Sequence, residues 1–366
     1  MGNSAGKNKK VIVVGTGYCG LEAAKALDGF CDVSLIGPGD ALENKWSYMR
    51  GCVVPGWEEA TRVPLDKLLK RGKILRGLVT EVTDSSVTLA DGTTLAADYI
   101  VLAHGYGSAN LPGGTPTDAT DSAGFKNKLK EKQAAIRDAK TILVVGGGPV
   151  GVELVGEIKA HYPDKTVTLV HSQPKLLNNS QPPLIDAALE QLNAQLEAMG
   201  IEVRLETRVT DLPVPENGDG FIHGRRTYTL SNDTRIDADL AIICVGSAKR
   251  DGNIVPAQSI DESNRIKVKP SLQVEGFENV YCVGDANNVD ETKLAFLGQM
   301  QAAAAVKNIK NQASGKKIVP YKPASETSKY GAMFIPLGPK KGVGAMDKSV
   351  MGPGAVRLIK GKGLFT

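Results

Sequence analysis

The chain has five cysteines in 366 residues, and no two of them form a C-x-x-C pair or a metal-ligand spacing. That absence excludes a paired-thiol redox centre and a thiolate metal cluster. Cys19, Cys31, Cys52, Cys244 and Cys282 read as small packing residues, and only Cys19 falls inside a glycine-rich loop. Aromatic residues are scarce at 5% and are not interleaved with the basic ones, so specific nucleic-acid binding is not expected. No apolar stretch approaches the roughly 20 residues that cross a bilayer. The first ten residues hold neither an apolar signal core nor an Arg-rich presequence, and the expected compartment is the cytoplasm.

What is present is dominated by two glycine fingerprints of one kind. Gly15-Thr16-Gly17-Tyr18-Cys19-Gly20 follows the apolar run Val11-Ile12-Val13-Val14, and Gly146-Gly147-Gly148-Pro149-Val150-Gly151 follows Ile142-Leu143-Val144-Val145. Each reads as a buried strand, a tight turn and the start of a helix. Backbone N–H groups and a helix N-terminus then cradle a pyrophosphate. Two such motifs imply two bound dinucleotides, and chemistry between two dinucleotides is usually hydride transfer.

The pattern around them predicts strand 11–14, helix 18–28 and strand 32–36, then short β segments over 73–101 with Asp91-Gly92 as a hairpin turn. A buried strand over 98–103 ends in His104-Gly105-Tyr106-Gly107. Helix 122–138 precedes the second unit, with strand 141–145, helix 149–160 and strand 166–170. Helix 184–199, strand 201–204 and an apolar strand over 240–244 follow. A late signal, Tyr281-Cys282-Val283-Gly284-Asp285-Ala286, reads as a short strand ending in Gly-Asp before a helix near 292–312. The fold class expected is α/β: two Rossmann-like dinucleotide-binding domains, the second inserted into the first, plus a small C-terminal α+β segment. The expected boundaries are 1–107 and 247–315, 108–246, and 316–366.

Charge is uneven. Residues 315–366 hold ten Lys/Arg against two Asp/Glu, a net of +8, which leaves −4 on the rest of a chain whose net charge is +4. A basic tail fits either an anionic membrane face or a solvated lysine-rich surface.

The stretch Gly151-Val152-Glu153-Leu154-Val155-Gly156-Glu157-Ile158-Lys159, with His161-Tyr162-Pro163 and Val167 to Gln173, carries a resemblance. So do Leu272-Gln273-Val274-Glu275-Gly276, Asn279-Val280-Tyr281, Gly284-Asp285 and Tyr321-Lys322-Pro323. Over nearly its whole length the chain resembles the two-dinucleotide flavoprotein oxidoreductases of the apoptosis-inducing-factor type. Within them it is most similar to the ferroptosis-suppressor branch of FAD-carrying NAD(P)H–quinone reductases.

The resemblance implies FAD on Gly15, Thr16, Gly17, Tyr18, Cys19 and Gly20, with Arg50 on its pyrophosphate, the Val79 backbone at adenine and Asp285 at the ribityl chain. It implies the nicotinamide dinucleotide on Gly146, Gly148 and Gly151, with Glu153 at the carboxamide. Lys293 is implied beside the flavin ring as a catalytic cation. Two departures stand out. Strand 32–36 ends in Gly37-Pro38, where an acid should meet the adenosine ribose, with Asp40 and Glu43 as candidate substitutes. His171, beside Ser172, Gln173 and Lys175, stands where NAD-specific proteins carry an acid, so use of both NADH and NADPH is expected.

Met1-Gly2-Asn3-Ser4-Ala5-Gly6-Lys7 is close to a myristoylation signal, which wants Ser or Thr at the sixth position. With the basic tail it makes peripheral attachment to membranes or lipid droplets the expectation, the mitochondrial outer surface being the alternative. The apolar pieces Met333-Phe334-Ile335 and Gly363-Leu364-Phe365 read as a quinone entrance or as core packing. A monomer or homodimer is expected. Two other readings stay open: a monodehydroascorbate or ferredoxin reductase, and a flavoprotein whose NADH-reduced state changes its binding to a partner or to DNA.

Overall fold

A computed structural model describes residues 8–66, 68–106, 121–214, 220–245 and 254–362. The acylation segment Met1 to Lys7, Gly107 and the tail piece Gly363-Leu364-Phe365 lie outside the described residues. The chain divides into two compact units, one of 1–43, 63–107 and 249–327, the other of 44–62, 108–248 and 328–366.

In the first unit five parallel strands lie in the order Val280–Cys282, Tyr99–Leu102, Lys10–Val14, Asp32–Gly37, Lys73–Arg76. Lys10–Val14 is central, and its side chains alternate between two cores as a strand's period of two requires. Val11 and Val13 pack with Ala23, Ala24 and Leu27 of helix Tyr18–Leu27 and with Ala302, Ala305 and Ile309 of helix Ala295–Ala313. Ile12 and Val14 pack with Val79, Val82, Val87 and Leu89 of a three-stranded meander, Val79–Val82, Ser86–Leu89 and Thr94–Ala96. Asp91-Gly92 turns the last two meander strands. The Asp91 carboxylate accepts from the Thr93 N–H at 2.9 Å, and Gly92 takes φ +85°.

In the second unit the order is Ile201–Arg204, Thr166–Val170, Thr141–Val145, Arg235–Ile243, Phe221–Thr229. The first four strands are parallel and the last is antiparallel. The strand expected over 240–244 is thus the end of a nine-residue strand in a long ribbon. Helix Ser122–Asp138 is capped by Asp121, whose carboxylate accepts from the Gly124 N–H at 2.7 Å.

The two-unit division differs from the expected boundaries at two places. Residues 44–62 belong to the second unit, in which helix Tyr48–Val53 is fully buried. The C-terminal antiparallel sheet, Ala332–Leu337, Lys341–Met346 and Ser349–Met351, also belongs there. Glycine explains the second case. A side chain on Gly156 or Gly338 would overlap the Leu337 backbone or Ala160, so hairpin and helix Pro149–His161 meet at backbone distance.

Candidate active site

The two fingerprints work in the same way. Gly15 and Gly146 take φ +115° and +119°, and their N–H groups donate to the Ile36 and Val170 carbonyls at 2.7 and 2.8 Å. A Cβ on Gly20 or Gly151 would overlap the carbonyl oxygen of Gly15 or Gly146. The third glycine therefore lets helix and turn close on each other. The middle glycines differ: Gly17 and Gly148 cap their helices in extended conformations, and a Cβ on either would meet nothing within 4 Å. Each helix N-terminus thus opens onto free space at the one position where a pyrophosphate needs close backbone approach. Beside the first loop, the buried His104 Nδ1 has no hydrogen-bond partner among the described residues, and the His104 Cα crowds Gly15. Open space, helix N-terminus and an orphaned nitrogen together fit a dinucleotide.

Other implied residues fall around this loop. Thr16 packs against Gly37, and a side chain at 37 would run into the Thr16 hydroxyl and methyl. That contact accounts for glycine at the position where an acid would meet the adenosine ribose. The Cys19 sulfur lies against Gly284 and Gly298, and burial together with the Asp285 charge pushes its thiol up to about 12. Tyr18 is raised by burial. Val79 is buried and pairs with Leu89 at a register shift in the meander.

Gly284 (φ +76°) turns the chain so that Asp285 is exposed, and its carboxylate has no hydrogen-bond or ion-pair partner among the described residues. Asp285 is not the cap of the following helix, which begins ten residues later with Leu294 as its N-cap. A buried amide network holds the turn. Gln301 Oε1 accepts from the Gly284 N–H at 2.8 Å and from Asn287 Nδ2 at 2.7 Å, and Gln301 Nε2 donates to Glu291 at 2.6 Å. Glu291 also accepts from the Tyr321 hydroxyl and the Ala324 N–H. Lys293 is tied in through Nζ, which donates to the Val289 carbonyl at 2.7 Å and to Asn287 Oδ1 at 3.3 Å. Burial, then the Arg265 charge, lower its pKa to about 8 against the pull of Asp285 and Glu291. An amine so poised both gives and takes a proton near neutral pH.

In the second unit the fingerprint helix carries Glu153 and Glu157 four residues apart, 7% and 2% exposed. Burial raises both carboxyls, and each has a cation against it. Lys360 Nζ donates to Glu153 Oε1 at 2.6 Å and Arg50 grips Glu157 at 2.7 Å. The pyrophosphate role implied for Arg50 therefore meets a different arrangement. Its guanidinium is 2% exposed in the second unit, committed to Glu157 and the Lys362 carbonyl and stacked over Trp57 at 4.7 Å. His171 Nδ1 accepts from the Gly147 N–H at 3.1 Å, which leaves Nε2 to donate to Asn178 Oδ1 at 3.2 Å. Lys175 pairs with Asp186 at the surface. Sequence reasoning missed Lys360, taken as tail charge, and Glu157, Arg265 and Gln301. Their partners lie from 10 to 207 residues away in the chain, and no local pattern marks them.

Residues 9–308 match the family model described as pyridine nucleotide-disulphide oxidoreductase. The chain belongs to that family. Its relatives include Apoptosis-inducing factor homolog B of Dictyostelium discoideum, 32% identical over 98% of this chain and 95% of the relative. Ferroptosis suppressor protein 1 of Homo sapiens is 29% identical over 97% and 93%. Two solved structures share the fold. The sulfide:quinone oxidoreductase from Aquifex aeolicus has a TM-score of 0.70 at 16% identity, over 94% of this chain and 86% of that one. The structure of NDH2 from Plasmodium falciparum in complex with NADH gives 0.68 at 14% identity, over 98% and 96%. Like its family, this pyridine nucleotide-disulphide oxidoreductase uses FAD and a nicotinamide dinucleotide. None of its five cysteines is in a disulfide.

Proposed function

We propose that the chain is an NAD(P)H:quinone oxidoreductase that makes quinol from a membrane quinone such as ubiquinone. FAD, when bound, accepts hydride from NAD(P)H and delivers the electrons onward. Gly15, Gly17, Gly20 and Asp285 would hold it, and Gly146, Gly148 and Gly151 would hold the nicotinamide dinucleotide. The observation that carries the acceptor assignment is the Lys293 amine, tied to Asn287 near the Gly284-Asp285 turn with its pKa brought down to about 8. A quinone takes up two protons with its two electrons, whereas a ferredoxin takes up none. A half-buried proton donor at the flavin end of the unit favours the first acceptor.

Anaerobic visible spectroscopy tests the reading. Both NADH and NADPH are expected to bleach a flavin band, with kcat/KM values within about a hundredfold, roughly 2.7 kcal/mol. No acid stands at His171, Ser172, Gln173 or Lys175, where NAD-specific proteins carry one, which is the basis of that expectation. Short-chain ubiquinone should restore the band within a turnover time. A band that stays bleached with quinone but returns with ferredoxin or the ascorbyl radical would move the assignment to those acceptors. A band that stays bleached with all three would favour the partner- or DNA-binding reading.

A quinone acceptor places the enzyme at a lipid surface. No helix among the described residues is long and apolar enough to cross a membrane, so attachment is read as peripheral, through an acylated Gly2 and the basic tail. Leu358 is 83% exposed and Ile359 39%, between Arg357 and the inward-turned Lys360, which supports lipid contact by this end of the chain. Gly2→Ala should move the protein from the membrane to the supernatant fraction of eukaryotic cells. Unchanged fractionation would remove acylation from the account.

A further inference from the structure

The turn 261–266 is built around Asp261, whose carboxylate accepts from the Ser263 and Arg265 N–H groups at 2.9 and 2.8 Å. Tyr106 grips this turn twice. Its hydroxyl donates to the Ser263 carbonyl at 2.8 Å, and its ring lies 4.4 Å from the Arg265 guanidinium. Arg265 Nη1 donates in turn to the Asp285 carbonyl oxygen. The next residue completes the tie: Ile266 N–H donates to the Ala286 carbonyl at 2.9 Å, and Asn288 N–H donates to the Ile266 carbonyl at 3.0 Å. Ile266 thereby pairs with Asn287, whose side chain binds the Lys293 amine. Arg265 is thus a fixed guanidinium beside the proton donor, held by the residue that follows the His104-Gly105 turn.

We propose that Arg265 is a positioning residue for acceptor reduction: fixed by Tyr106 and the Asp285 carbonyl, it sets a permanent positive charge beside the Lys293 amine and promotes release of its proton. The inference rests on the reading of Lys293 as proton donor to a quinone. In that reaction NAD(P)H, a proton and a quinone give NAD(P)⁺ and a quinol. The hydride brings two electrons and one proton, and the second proton comes from water through Lys293 Nζ to a quinone oxygen. Among the described residues, four charged or titratable groups face the amine. Arg265 disfavours its protonated form, while Asp285, Glu291 and Cys282 favour it. Glu291 is itself bound to Gln301, Tyr321 and the Ala324 N–H, so its charge is as fixed as that of Arg265.

The test is the pH profile of kcat with short-chain ubiquinone, measured on full-length, FAD-loaded enzyme. The wild type should lose rate as pH rises through about 8, where the amine loses its proton. Arg265→Met should move that alkaline limb up by about half to one pH unit, and Arg265→Lys should leave it near the wild-type position. Glu291→Gln should move it the opposite way. Tyr106→Leu, which keeps the charge but frees it, covers the case in which Arg265→Met does not fold, and should give a smaller upward shift. A uniform fall in kcat with the limb unmoved in Arg265→Met, or in Tyr106→Leu where only that variant folds, would overturn the inference. Persistence of the limb in Lys293→Met would instead overturn the reading of Lys293 itself.

Discussion

Lys293→Met is expected to lower quinone reduction by about a hundredfold while slowing ferricyanide reduction far less. The size is that of one general acid, about 10²- to 10⁴-fold, taken at the low end because water reaches a half-buried site. The selectivity follows from stoichiometry, since ferricyanide takes an electron and no proton. The pH dependence has a definite sign. A lysine brought from 10.5 to about 8 is charged and able to donate below that pH. The wild-type quinone rate should therefore be flat toward neutrality and fall about tenfold per unit well above 8. The variant should lack this limb, because methionine has no proton to lose. Steady-state kinetics with both acceptors from pH 6 to 10 decide it. Equal losses with the two acceptors would assign Lys293 to holding the Asn287 turn instead of to proton transfer.

Gly148→Val is expected to raise the Kd for NADH by more than a hundredfold while lowering the melting temperature by only about 2–4 °C, since the structural loss is that of a glycine N-cap, about 1 kcal/mol. The backbone at Gly148 is extended, with φ −76° and ψ 179°, and valine adopts it without strain. A Cβ there meets no protein atom within 4 Å, so the methyl groups would fill the space a pyrophosphate uses. Gly151→Ala, three residues on, should do the reverse. Its single methyl drives into the Gly146 carbonyl, and overpacking of this kind costs about 1–3 kcal/mol or more. Gly17→Val should likewise empty the protein of FAD without unfolding it, and Gly20→Ala should destabilise it. Thermal melts beside NADH titrations separate the two classes. A Gly148→Val protein that binds NADH at wild-type strength would show that the second loop does not hold the nucleotide.

These contrasts also mark what the sequence made legible. A fingerprint is local: strand, positive-φ glycine, capping glycine and packing glycine all lie within ten residues, and each follows from short-range sterics. The strands Lys10–Val14 and Thr141–Val145 and the helices after them were readable for that reason. The charged residues inside the second unit were not. Glu157 looks like one face of an amphipathic helix until Arg50, 107 residues earlier, is found against it. Lys360 looks like tail charge until it is found on Glu153, 207 residues away. Such pairs are set by the docking of elements that no period or spacing foretells. Around Asp285 the strand end and the later helix were legible, but not what links them, because the helix begins only at Ala295. The intervening residues 287–294 carry Asn287 and Glu291, whose side chains bond to Gln301 in the body of the helix, and Lys293, which bonds back to Asn287 and Val289.

The placement of Cys19 bears on how the protein meets the oxidants that any flavoenzyme works among. Peroxides and electrophiles attack thiolates, and a thiol held at about 12 is ionised in only about one molecule in 10⁵ at pH 7. Cys31, pushed up to about 11, and Cys244, raised by burial, are shielded in the same way. The sulfur nearest the phosphate loop of the first unit therefore serves as inert filling between two glycines, and the family's name notwithstanding, electrons have no thiol to rest on there.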